Sequence, residues 1–124
     1  MSYIANIEKE TLENDFFRKV LHTAEHSQLV VMSLKPGEEI GEEVHRLDQF
    51  IRIEAGDGAA VLNSVRQEIH KDDAIVIPEG TLHNIINTST DAPMKLYTIY
   101  SPAEHKPGTI HETKADADAA EHHD

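Results

Sequence analysis

Two histidines, one acid and one amide stand where short extended segments would aim them at a common point. Glu43 lies two residues before His45. Residues i and i+2 of an extended chain share a face, so carboxylate and imidazole point the same way. Gln49 has the same parity and adds an amide oxygen if the strand stays regular. His83 arrives from a separate segment. Two imidazoles, a carboxylate and an amide are a plausible donor set for a divalent ion. The spacing alone does not decide it. Nine histidines in 124 residues make Glu-x-His pairs common, and Glu43 can equally be a surface acid of the run Glu38-Glu39-Ile40-Gly41-Glu42-Glu43. The chain has no Cys, which excludes disulfides, thiolate metal sites and a cysteine nucleophile.

The elements that must position these groups are short and apolar. Gln28 to Leu34, Gln49 to Ala55, Ala59 to Leu62, Ala74 to Ile77, Leu82 to Ile86 and Lys95 to Tyr100 are rich in Val, Ile or Tyr. Gly, Pro, Asn or Asp bounds each of them, as at Pro36-Gly37, Gly56-Asp57-Gly58 and Pro78-Glu79-Gly80. Many short strands separated by turn signals predict an all-β sandwich or barrel with little helix. Thr11 to Leu21 fits a helical face and strand alternation equally well. If Gln49 faces inward, Ile51 and Ile53 share its face, and Ile85 shares parity with His83. These three are expected to line a pocket, or else to be plain core. Tyr97 and Tyr100 are candidate phenols for acid/base work. His70 reads as a surface turn residue, and His22, His26 and His105 have no partner spacing.

Two spaced motifs bear on the fold. Residues 37–56 read Gly37-x5-Glu43-x-His45-x3-Gln49-x6-Gly56, and residues 72–87 read Asp72-x5-Pro78-x-Gly80-x2-His83-x3-Asn87. They resemble the two signatures of the cupin superfamily, Gly-x5-His-x-His-x3,4-Glu-x6-Gly and Gly-x5-Pro-x-Gly-x2-His-x3-Asn, at every spacing. The resemblance implies a single-domain double-stranded β-helix, a jelly-roll barrel, in which Gly37, Gly56 and Gly80 make tight reversals with positive φ. It also implies a metal held by Glu43, His45, Gln49 and His83. Here the family's usual three His and one Glu are altered, since Glu43 replaces a His and Gln49 replaces the Glu. The formal charge of the set is unchanged, but one nitrogen becomes oxygen, which favours Mn or Fe, with Zn or Ni possible. Some cupins that linearise unsaturated uronates in pectin breakdown use Gln at the position matching Gln49.

Residues 1–110 are expected to form one cupin domain. Residues 111–124 have no large apolar residue and read as a flexible acidic tail whose His122 and His123 can pick up loose metal. The segment from Tyr97 to Gly108 reads as a loop that caps the barrel mouth or packs on a neighbouring subunit. The net charge of −12 disfavours nucleic acid and anionic membrane as partners. No apolar run approaches the length of a membrane span, and Met1 to Asn6 lack the pattern of a secretory signal, so a cytoplasmic protein is expected. Exposed sheet edges and the family resemblance suggest a homodimer. The expected function is that of a metal-dependent enzyme of isomerase or lyase type on a small, oxygen-rich, carbohydrate-like metabolite. The alternatives are an Fe-dependent dioxygenase and a non-catalytic binding or sensor module.

Overall fold

The chain passes repeatedly between two antiparallel sheets in the computed structural model, which describes residues 1–122. In chain order the elements are α1 (Ile7–Glu13), β1 (Arg18–Thr23), β2 (Gln28–Leu34), β3 (Asp48–Ala55), β4 (Asp57–Leu62), β5 (Val65–His70), β6 (Ala74–Ile77), β7 (His83–Asn87), β8 (Met94–Ser101), β9 (Ile110–His111) and α2 (Lys114–His122). One sheet has the order β6-β3-β8-β2-β1-β9 and the other β5-β4-β7. The connections β3–β4, β5–β6, β6–β7 and β7–β8 each cross from one sheet to the other. Between β2 and β3, residues 35–47 run along the free edge of β7, joined to it at Glu39–Ile86 and Glu43–His83. This alternation winds the chain into the expected double-stranded roll.

The core lies between the sheets. Val30, Met32 and Leu34 of β2, Ile51 and Ile53 of β3 and Leu96 of β8 meet Ala60, Ile69 and Ile85 of the smaller sheet. Burying each large side chain among them contributes roughly 2 kcal/mol of hydrophobic stabilisation. Ile51, Ile53 and Ile85, expected as pocket lining, are 0%, 0% and 1% exposed and belong to this core. A polar row lies beyond them and faces the site in their place.

The turns follow from backbone sterics. Gly56, at the β3–β4 crossing, has φ +99°, and a Cβ there would sit 2.8 Å from the Pro93 carbonyl oxygen. Asp72, which stands where the second signature has Gly, has φ +74°. Asp tolerates that region better than most residues because its short side chain bonds locally. Asn87 is fully buried, and its side-chain amide donates to the carbonyls of Leu34, Lys35 and Ala92, tying three backbone segments together.

Three segments differ from the sequence expectation. The ambiguous stretch from Thr11 to Leu21 divides into the end of α1, capped by the Asn6 side chain accepting from Lys9 N at 3.0 Å, and the start of β1. β5 carries no apolar run because it is an edge strand whose only buried residue is Ile69. Residues 111–122 do not run free as a solvated tail. β9 pairs Ile110 with Lys19 and His111 with Arg18, and α2 follows with Ala117 buried at 2% exposure. Small alanines seat the helix without any large apolar side chain, and the Lys114 ammonium lies 5.9 Å from the Phe17 ring centroid. His123, one of the two tail histidines considered for metal, lies outside the described residues.

Candidate functional site

The inward face of the larger sheet changes from apolar to polar at one end. Gln28 of β2, Tyr100 of β8 and Gln49 of β3 are paired across the three strands in a single row. All three are buried. The next row, Val30, Thr98 and Ile51, begins the core. Gln49 donates through Nε2 to Thr98 Oγ1 at 3.0 Å, while its Oε1 is buried without a partner.

Backbone pairing brings the remaining candidates to the same end. Glu43 and His83 exchange both backbone hydrogen bonds, each 2.9 Å, so they stand directly opposite one another. The His45 carbonyl accepts from Gly80 N at 3.0 Å, which fixes the approach to β3 against the turn before β7. The His45 ring lies 5.2 Å from the His83 ring and 6.0 Å from the Tyr100 ring, centroid to centroid. Glu43 is turned toward this group, with its Oε2 3.0 Å from His45 Nε2. That oxygen lies off the ring N–H axis, so the contact is an ion pair without an aligned hydrogen bond. His83 is 5% exposed, and its Nδ1 donates to the Thr81 carbonyl at 2.9 Å, which leaves Nε2 as the ring's lone-pair nitrogen.

The loop after β8 completes the site. Glu104 Oε2 lies 3.2 Å from His45 Nδ1, so the imidazole is held between two carboxylates. The Glu104 carboxylate first, then that of Glu43, raises the His45 pKa from 6.5 to about 9. Reciprocally, the His45 ring holds the Glu104 carboxyl below its usual range. His105 packs edge-on against Tyr100, with centroids 5.3 Å apart. Burial, aided by Arg18, lowers the His105 pKa to about 4. Burial also pushes the Tyr100 phenol well above its ordinary value, so it is a protonated donor at neutral pH. Tyr97 faces the other side of the sheet and packs on Phe50 at 6.3 Å, so of the two candidate phenols Tyr100 is the one at the site.

Gln28 holds this loop in place. Its Oε1 accepts from Glu104 N at 3.2 Å and His105 N at 3.0 Å, and its Nε2 donates to His105 O at 2.7 Å and Thr23 Oγ1 at 2.9 Å. The loop therefore caps the barrel mouth, one of the two roles expected for it. Sequence reasoning did not find Gln28, Glu104 or Arg18. The parity of Gln28 with Val30 and Met32 was the available signal for an inward polar residue.

The four expected ligands thus gather at one end of the roll. Among the described residues, however, no three His, Asp or Glu side chains are already grouped as a metal site. Glu43 is drawn onto His45, and the fourth member is an amide. The donor types still fit a divalent ion of the harder kind. His45 Nε2 and Gln49 Oε1 are buried without hydrogen-bond partners, and His83 Nε2 is left as a free lone-pair nitrogen.

Comparison with known proteins supports the architecture. The chain is 47% identical over 126 residues to YrkC of Bacillus subtilis (strain 168), covering 96% of this chain and 67% of that protein. It is 49% identical over 112 residues to L612 of Acanthamoeba polyphaga mimivirus, covering 87% of this chain and 70% of that protein. The crystal structure of BH2720 from Bacillus halodurans superposes with a TM-score of 0.92 at 44% identity, covering 96% of this chain and 95% of that one. A sequence profile described as "Cupin domain" matches residues 30–100, which contain both spaced motifs and all four candidate ligands. With the sheet-to-sheet winding and the gathered end of the roll, that match places the chain in the cupin domain family.

Proposed function

We propose that the chain binds one divalent ion, Mn²⁺ or Fe²⁺ in preference to Zn²⁺ or Ni²⁺, through Glu43, His45, Gln49 and His83. In this reading it acts on a small oxygen-rich metabolite in a reaction of isomerase or lyase type. The observation that carries the reading is the buried Gln49 Oε1, an acceptor without a partner, at the same end of the roll as the His45 ring and a His83 ring whose Nδ1 is already tied down. A bound divalent ion would supply Lewis-acid stabilisation of charge developing on substrate oxygens. The chain's own residues do the rest. Glu104 pairs with His45 Nδ1 at 3.2 Å and orients that ring. Tyr100 offers a buried phenolic donor. The loop pinned by Gln28 keeps bulk water from the barrel mouth. The partners of this reading are a small-molecule ligand and a second copy of the chain, the latter supported by exposed apolar side chains at Met1, Ile4 and Val76.

A second reading is favoured by the closed Glu43–His45–Glu104 arrangement, which needs no ion to satisfy its charges. It is a metal-free module that binds a metabolite. Elemental analysis of the untagged full chain separates the two. The proposed function expects about one Mn or Fe per chain, lost in Glu43→Ala and His83→Ala while circular dichroism shows the fold retained. Metal kept by both variants rejects this ligand set, and a wild-type protein without metal after growth in Mn and Fe favours the binding module. Oxygen consumption by the Fe-loaded protein with candidate diketones or thiols identifies the dioxygenase alternative.

A further inference from the structure

We propose that Arg18 anchors the carboxylate of a small acid in the cavity beside the capped mouth. This deepens the proposed function by naming its substrate class, a short carboxylic acid carrying further oxygens. The cavity has a volume of about 320 Å³ and lies between β1, β9, α2 and the loop that carries Glu104 and His105. Arg18 lines it while being only 2% exposed. A buried cation is costly unless it is paired. Arg18 nevertheless has no carboxylate within ion-pair distance among the described residues, and its Nε is buried without a partner. Its Nη1 donates to His111 Nδ1 at 3.1 Å, and the guanidinium carbon lies 5.2 Å from the Phe17 ring centroid. These contacts orient the group without neutralising it.

A second unpartnered group belongs to a residue of the same lining. His105 Nε2 is buried with no hydrogen-bond partner, and His105 lines the cavity. Lys106 adds a cation at the lining and Glu121 an anion, while Glu104 is already engaged by His45. The formal charges of the lining, Arg18 and Lys106 against Glu104 and Glu121, cancel, which leaves the unpaired Arg18 guanidinium as the group on offer in a chain whose net charge is −12. That balance suits one carboxylate better than a multiply charged phosphate, and a guanidinium fork matches a carboxylate's two oxygens. Glu104 touches both this cavity and His45, so a ligand anchored at Arg18 would extend toward the gathered ends of the four candidate ligands.

The test is calorimetric titration of the metal-free, full-length protein with gluconate, with sorbitol as the neutral six-carbon counterpart and with inorganic phosphate. Gluconate is expected to bind more tightly than phosphate, and sorbitol not to bind. Arg18→Gln is expected to weaken gluconate by about tenfold or more, the loss of a charge-assisted pair, and Arg18→Lys by less, since charge remains but the fork is gone. Should Arg18→Gln fail to fold, His105→Gln and Lys106→Ala carry the test, each weakening gluconate by roughly twofold or more. The metal proposal stands or falls separately on the elemental analysis. Absence of gluconate binding, phosphate binding more tightly than gluconate, or unchanged gluconate affinity in a folded Arg18→Gln protein (or, if that variant is unfolded, in the other two) overturns the assignment.

Discussion

His45 and His105 shift in opposite directions, and each shift has its own consequence for stability. The His45 pKa rises from 6.5 to about 9 in the folded, metal-free protein because Glu104 and Glu43 pair with its charged form. Its contribution to stability is therefore full below pH 6.5 and is lost as pH climbs toward 9. His105 falls from 6.5 to about 4 because burial excludes its charge. Here the unfolded chain binds the extra proton, so stability is lost as pH drops from 6.5 toward 4. Urea midpoints of metal-free protein across pH should show both limbs. His45→Gln should flatten the alkaline limb and His105→Gln the acid limb. An alkaline limb unaltered in His45→Gln would mean that the two carboxylates do not hold that ring charged in solution.

Legibility at this scale followed sequence distance. Glu43 and His45 are two residues apart in an extended segment, and parity alone put them on one face. Glu104 reaches the same imidazole from a loop far along the chain, and no local pattern announces such a meeting. Arg18 was equally silent, because a charged residue at a strand start reads as solvent-facing until the partner elements that bury it are known.

β2 and β6 were read with their observed bounds because each is an apolar run flanked by turn residues. β5 was missed because only one of its residues is buried, and β9 because two residues make no pattern. The loop after β8 depends on a single distant side chain, Gln28, for its seat. Gln28→Ala removes four hydrogen bonds and leaves the part-buried backbone groups at 104 and 105 without their partner. The expected cost is about 2 kcal/mol in denaturant unfolding. Hydrogen exchange should also show the amides of Glu104 and His105 losing protection while β3 and β8 keep theirs. Protection unchanged at 104 and 105 would show that the loop is held by something other than Gln28.

Over the whole molecule, the roll was legible because two spaced motifs and the strand punctuation agreed, whereas the C-terminal helix was not. Composition alone suggested a solvated tail, since no residue after 110 is large and apolar. α2 docks instead through Ala117, and it also contributes Glu121 to the wall of the Arg18 cavity. Deleting residues 114–124 should therefore lower the melting temperature by several degrees and weaken gluconate binding, while leaving the strand signal in circular dichroism intact. A melting temperature identical to that of the full chain would mean that α2 contributes nothing to the fold. No described helix is long and apolar enough to cross a membrane.

The central claim is that Glu43, His45, Gln49 and His83 act together on one cation. Anomalous diffraction from crystals soaked in Mn²⁺ tests it most directly. A single strong peak is expected at the capped end of the roll, bonded to both imidazoles, with the Glu43 carboxylate moved off His45 and onto the ion. An empty end at saturating Mn²⁺, with Glu43 still resting against His45, would contradict it.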